Sequence, residues 1–365
     1  MTQQESLDRF ASYRKAIALW LFLCCVVVFG MIVLGGVTRL TRSGLSMVEW
    51  RPLLGTLPPL TQKEWNRVFS LYKKFPEYKK VNKGMTLPQF KKIFYVEWGH
   101  RLVGRTIGIL FFLPFLFFLI RKAVPKPLLW KLLLMLLLGG SQGLMGWYMV
   151  KSGLVNKPSV SQYRLTAHLA LACIIYIYMF WVALGLWFGR REEAEGSLSS
   201  EAMGLKRWAF GITATICVMI LSGGFVAGTK AGFAYNTFPK MAGQWIPSGM
   251  YSLAPWYRNW FENLATVQFN HRMIAYLLCI LIPLLWWQLQ KASVSSTLQR
   301  AGHFLLGAVA LQVTLGITTL LWKVPVPLAA AHQGGAIVLL TAALSVNYIL
   351  SHREHALSAT SSAPA

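Results

Sequence analysis

Residues 97–120 read EWGHRLVGRTIGILFFLPFLFFLI, and residues 268–290 read QFNHRMIAYLLCILIPLLWWQLQ. Each stretch opens on a His-Arg pair and continues as an apolar run of the roughly 20 residues needed to cross a hydrocarbon layer. One such stretch predicts a membrane helix. Two with the same opening predict a duplicated one. Working outward, Gly35-Gly36 and Thr41-Arg42-Ser43-Gly44-Leu45 recur as Gly223-Gly224 and Thr229-Lys230-Ala231-Gly232-Phe233 at a constant shift of 188. His100 recurs as His271 at a shift of 171, Gln142 and Gly146 as Gln312 and Gly316 at 170, and His168 as His332 at 164. The shift changes only across loops, as a duplicated four-helix unit requires.

Composition agrees with a membrane chain: 55% of the 365 residues are hydrophobic, 13% are charged and the mean hydropathy is +0.48. Spans are expected near 16–37, 99–120, 131–150, 165–188, 208–228, 271–290, 303–322 and 328–350. The expected fold is therefore an all-α polytopic membrane protein, eight helices in two four-helix bundles. An even number of crossings per unit inserts both halves in the same orientation, related by a pseudo-twofold along the membrane normal. The domain reading is a cytoplasmic N-terminal segment 1–15, an N-terminal half 16–188, a linker 189–207, a C-terminal half 208–350 and a polar tail 351–365. The runs do not alternate as barrel strands would. The first is too long for a signal-peptide core, and Glu5 and Asp8 argue against a mitochondrial transit peptide. Cys24, Cys25, Cys173, Cys217 and Cys279 all fall within spans, so neither a loop disulfide nor a zinc site is expected.

The net charge of +24 sits in loops between spans, where it meets lipid headgroups rather than nucleic acid. Arg121, Lys122, Lys126, Arg190, Arg191, Lys206, Arg207, Lys291 and Arg300 place both termini inside by the positive-inside rule. The lysine-rich loop 38–98 opposes that assignment, but long loops translocate largely regardless of charge. Within it, Thr61-Gln62-Lys63-Glu64 reads as a capping box before Trp65, Val68, Phe69 and Tyr72 at helical spacing. That amphipathic helix suits either a roof over a pocket or an anchor on the lipid surface. A second box, Thr86 with Gln89, starts a helix that runs on through Glu97 and His100.

Histidine inside a membrane is costly unless partnered, so four at repeated positions form a functional constellation. His100, His168, His271 and His332 begin the second, fourth, sixth and eighth spans and so lie toward one face, the outer one if the termini are inside. Two imidazoles per half are what a six-coordinate heme iron takes from a protein. Isolated histidines hydrogen-bonded between helices are the plainer reading for any single one. Glu97 lies three residues before His100 on nearly the same helix face, while its repeat partner Gln268 has the same shape and no charge. The difference suggests one reactive site and one electron-carrying site; a structural bond to a neighbouring arginine is the alternative. Arg39, Arg42, Arg101, Arg105 and Arg272 lie toward the same face, where they suit heme propionates or ordinary snorkelling to the interface.

These segments, with Ser161-Gln162-Tyr163-Arg164-Leu165-Thr166-Ala167-His168-Leu169, Ala234-Tyr235-Asn236-Thr237-Phe238-Pro239, Phe261-Glu262-Asn263-Leu264 and Ala331-His332-Gln333, resemble the heme A synthase family in its mitochondrial and proteobacterial branch. The likeness runs from about Gly35 to Ala336. The other branch carries a cysteine pair in its outer loops; here those loops have none, and no thiol-dependent step is carried over. The resemblance implies oxidation of the C8 methyl of heme O, through an alcohol, to the formyl group of heme A for cytochrome oxidase. It implies that His100 and His168 hold heme O with Glu97 as the nearby catalytic carboxylate, and that His271 and His332 ligate an iron-containing heme b cofactor that passes electrons onward. It further implies a bacterial inner-membrane location and contact with the enzyme that supplies heme O. A homo-oligomer is compatible with the sequence. A di-heme electron carrier, which would not need the Glu97/Gln268 difference, and a heme transporter, which would need an alternating pathway and no resident cofactor, are the other classes.

Overall fold

The computed structural model of the protein describes residues 3–49, 54–153, 159–189, 200–292 and 294–352. Its regular structure is helical, with no strand among the described residues. Eight helices are long and apolar enough to cross a membrane. They are α1 (Gln3–Leu40), α4 (Leu87–Ile120), α5 (Lys126–Gly153), α6 (Gln162–Phe188), α7 (Ser200–Thr229), α9 (Leu264–Lys291), α10 (Ser296–Leu321) and α11 (Val326–His352). Every expected span is present, and each helix begins before its expected apolar run. The expected linker falls partly on α7, which starts at Ser200; residues 190–199 of it, and 353–365 of the tail, lie outside the described residues.

The chain divides into two compact units: Met1–Tyr13 with Trp20–Tyr176, and Arg14–Leu19 with Ile177–Ala365. The divisions fall within α1 and α6. In the first unit the Trp20 indole donates to the Leu110 carbonyl (2.9 Å), and its ring packs on Phe111 and Phe118. In the second, the buried Asn347 of α11 donates to Thr213 Oγ1 (2.7 Å) and the Ala209 carbonyl (3.1 Å) of α7. Such interhelical bonds hold membrane helices together where lipid gives no hydrophobic drive.

Outside the spans, α2 (Gln62–Tyr72) starts at the expected capping box. Glu64 N–H donates to Thr61 Oγ1 (3.3 Å), and the amides of Thr61 (3.1 Å) and Leu60 (2.8 Å) donate to the Glu64 carboxylate. Those backbone donors hold the Glu64 carboxyl below its usual range. A short α3 (Pro76–Lys80), not foreseen in the sequence, follows with proline in its first turn, where the missing N–H costs nothing. α4 begins at the Thr86/Gln89 box, as expected, well before its apolar run. This extension explains the fate of α2. Trp65, Phe69 and Tyr72 bury against Phe90 and Phe94 of α4, with Phe69 and Phe90 stacked at 4.9 Å between ring centroids. Burial pushes the Tyr72 hydroxyl up to about 12, although Asn82 donates to it (2.8 Å). The apolar face of α2 is thus consumed by protein packing and is not free to anchor in lipid.

A small core built on a few rings is vulnerable at its centre. Phe90, fully buried, touches Phe69, Tyr72 and Phe94. Phe90→Ala should cost the subdomain about 3–5 kcal/mol. Limited proteolysis of membrane vesicles is expected to cut the variant between residues 54 and 86 while the spans remain intact. Cleavage no faster than in the parent protein would contradict the packing assignment.

Candidate functional site

Each of the four histidines faces a glycine on the apolar span that precedes its own. A Cβ built on Gly35 of α1 would lie 3.3 Å from Cε1 of His100 on α4, and one on Gly146 of α5 would lie 3.2 Å from Cε1 of His168 on α6. In the second unit the same construction gives 3.3 Å from Gly223 of α7 to His271 of α9 and 2.9 Å from Gly316 of α10 to His332 of α11. Four imidazoles therefore seat edge-on against helix backbone, in places where any larger side chain would push them away. His100 and His168 are close enough to act on each other electrostatically, and so are His271 and His332. The sequence placed them in these two pairs.

A second feature recurs in both units. The Gln142 amide donates to the His168 carbonyl (3.1 Å), and the Gln312 amide donates to the His332 carbonyl (3.0 Å). Gly335 leaves room for the other end of the Gln312 side chain. Each glutamine ties the helix carrying the second histidine of a pair to the helix before it, one turn from the glycine contact.

The loops after α1 and α7 are clamped to the helix that carries the first histidine of each pair. In the first unit the Glu97 carboxylate, 2% exposed, accepts from Ser46 Oγ (2.7 Å), the Met47 amide (2.7 Å) and Arg101 (2.5 Å). Arg101 also donates to the Met47 carbonyl (2.9 Å). In the second unit Gln268 donates to the Tyr235 carbonyl (3.1 Å), and Arg272 donates to the Tyr235 (3.0 Å) and Pro239 (3.3 Å) carbonyls. Tyr235 is Met47 shifted by 188, so the same backbone position is gripped in both units. What differs is polarity. Glu97 receives an N–H where Gln268 supplies one, and among the described residues buried carboxylates occur only in the first unit. The arginine bond that the sequence offered as the plainer reading of Glu97 is present, together with two further donors.

Of the remaining arginines, Arg105 donates to the Gly55 carbonyl (3.3 Å), Arg39 closes the last turn of α1, and Arg42 follows in a left-handed turn at φ 52°. Arg101, Arg105 and Arg272 thus each spend donors on loop backbone. Sequence reasoning missed Ser222, whose Oγ lies 2.6 Å from His271 Nδ1, and Asn259 and Asn263, which organise the loop before α9. Ser222 was findable, since it directly precedes the repeated Gly223-Gly224.

The donor set suits a macrocycle. Among the described residues no three of His, Cys, Asp and Glu gather as a protein-built metal cage would require. A heme iron, which brings its own equatorial nitrogens, asks only for two imidazoles. His100, His168 and His332 each keep a buried Nδ1 with no hydrogen-bond partner, in rings set edge-on to backbone, so the residues present fit such a group. The glycine contact is directly testable. Ala normally stabilises a helix interior by about 1 kcal/mol over Gly, so Gly316→Ala and Gly307→Ala differ only in what their Cβ meets. Gly307 meets nothing within 4 Å, whereas Gly316 meets His332. Heme content of the purified protein should fall in Gly316→Ala and hold in Gly307→Ala; equal content in both would remove the glycine seat from the account.

Comparison with known proteins gives the family. The profile of the COX15-CtaA family, described as cytochrome oxidase assembly protein, matches residues 18–344. The chain is similar to the heme A synthase of Nitrosospira multiformis, 55% identical over 350 residues that cover 96% of this chain and 97% of that one. The heme A synthase of Nitrosomonas eutropha is 52% identical over 93% of this chain and 95% of its own. Heme A synthase COX15 of Arabidopsis thaliana is 44% identical over 92% of this chain and 75% of its own. With its histidine pairs inside the matched residues, this chain belongs to the COX15-CtaA family of cytochrome oxidase assembly proteins.

Proposed function

We propose that the chain is an oxidoreductase that converts the C8 methyl of heme O to the formyl group of heme A, for use in cytochrome oxidase. In this reading His100 and His168 hold the substrate, and His271 and His332 hold a resident heme b. The observation that carries it is the doubled imidazole–glycine seat, with a buried carboxylate beside only one of the two pairs. The relatives named heme A synthase support the choice of substrate. A heme between His271 and His332 would supply a one-electron relay away from the oxidised methyl.

The chain's own residues have defined tasks here. His100 and His168, set by Gly35 and Gly146, orient the substrate macrocycle. Arg101 and Glu97 hold the Ser46–Met47 loop against α4, which closes the histidine site on that side. Glu97 brings a fixed negative charge to the reacting half, where it would stabilise developing positive charge or receive a proton. Arg39, Arg42, Arg101, Arg105 and Arg272 would pair with heme propionates. We place the protein in a bacterial inner membrane, termini inside and histidines toward the outer face. There it would take heme O from the enzyme that makes it.

Expression in a host that makes heme O but no heme A, followed by chromatography of extracted hemes, tests the reaction: heme A should appear. Accumulation of heme b alone, with heme O unchanged, would favour an electron carrier instead. Glu97→Gln refines the assignment, because Gln268 shows that an amide can grip the same backbone position. Truncation to Ala is less informative, since it also leaves the Ser46 hydroxyl and the Met47 amide without their acceptor, at about 1–3 kcal/mol each in folding alone. If the charge serves the chemistry, heme A formation in Glu97→Gln should drop by about 10²–10⁴-fold with heme binding retained. Near-normal heme A would reduce Glu97 to a loop clamp.

A further inference from the structure

Three of the four histidines keep a buried Nδ1 with no hydrogen-bond partner, and one does not. His271 Nδ1 lies 2.6 Å from Ser222 Oγ. The hydroxyl has a second contact able to take its proton: Ser222 Oγ lies 3.1 Å from the Met219 carbonyl, one turn back on α7. A hydroxyl has one proton to give. With that proton on Met219, Ser222 accepts from His271, so the imidazole carries its hydrogen on Nδ1 and leaves the Nε2 lone pair free. That is the tautomer a metal-binding imidazole needs when Nε2 is the ligating atom, and such an outer partner also fixes the ring's rotation.

The matching position in the other unit is Leu34, at the same shift of 188. Its side chain has no oxygen, and although its main-chain carbonyl lies near the His100 ring, Nδ1 there makes no hydrogen bond. The glycine contacts of the two rings are equal at 3.3 Å, so the units differ in this partner and not in the seat. We propose that Ser222 is a positioning residue that locks His271 for permanent ligation of a metal-centred tetrapyrrole, and that Leu34 leaves His100 unlocked so that its macrocycle can exchange. This rests on the reading of His271 and His332 as ligands of a resident heme. It adds a physical reason why one pair retains its heme and the other releases it.

The test uses the full-length protein purified in detergent, with Ser222→Ala, Ser222→Thr and His271→Ala compared with the parent. Two readouts do not depend on turnover: the midpoint potential of the bound heme b, and the rate at which apomyoglobin extracts it. Losing an outer partner of a ligating histidine typically weakens metal binding about 10–100-fold. Ser222→Ala should therefore lose heme b about 10–100-fold faster. Its potential should rise, because a hydrogen-bonded Nδ1–H makes the imidazole a better donor to the oxidised iron. Ser222→Thr, which keeps the hydroxyl, should restore both values. If Ser222→Ala matches the parent in potential and extraction while His271→Ala loses heme b, the Ser222 assignment is overturned and the ligand reading stands. If His271→Ala keeps heme b with unchanged spectra, the ligand reading itself fails.

Discussion

An imidazole can set its edge against a helix only where that helix has no side chain. This constraint, met at Gly35, Gly146, Gly223 and Gly316, fixes where each histidine stands, and the rest of the protein is arranged around it. At each glycine a histidine from the next span reaches the helix, and Gln142 and Gln312 tie the second helix of each pair at the level of the histidine carbonyl. In a membrane, where burying apolar surface gives helices little reason to associate, close packing at small residues and a few internal hydrogen bonds do that work. The same contacts that hold the bundle together therefore aim its chemistry.

Duplication supplies the frame, and function enters through departures from it. The loop clamp is common to both units: Arg101 and Arg272 grip equivalent carbonyls, Met47 and Tyr235. Onto it the first unit adds the charge of Glu97, and the second adds the hydroxyl of Ser222. Neither addition alters the glycine seat. A charge beside one pair suits a reaction, and a locked tautomer beside the other suits a cofactor that stays. The subdomain of α2, α3 and the extended α4 is likewise confined to the first unit; its aromatic core holds it to the helix that carries His100.

Much of this was legible in the sequence because membrane helices announce themselves by length and hydropathy, and because repeats reveal equivalent positions without any structure. Both capping boxes, at Thr61 and Thr86, were readable for the same local reason: a side chain answers a backbone group three residues away. The destination of α2 was not readable, since an amphipathic pattern looks the same whether its apolar face meets lipid or Phe90. The partners of Glu97 were hidden too. Its donors include a backbone amide, which carries no sequence signature, brought across 50 positions by the fold. The arginines could be placed near the site but not assigned their carbonyls. Ser222 stood beside a repeated motif and was passed over because serine in a membrane helix usually bonds to its own preceding turn, which it also does here.

The central claim is that two similar histidine pairs hold macrocycles for different purposes. It is tested most directly by extracting and quantifying hemes from His100→Ala and His271→Ala proteins purified from a host that makes heme O. The account predicts that His271→Ala loses most of its heme b. It predicts that His100→Ala keeps heme b while heme O, or a partly oxidised form of it, accumulates in the membrane. Loss of heme b from His100→Ala with its retention in His271→Ala would contradict the assignment of the two halves.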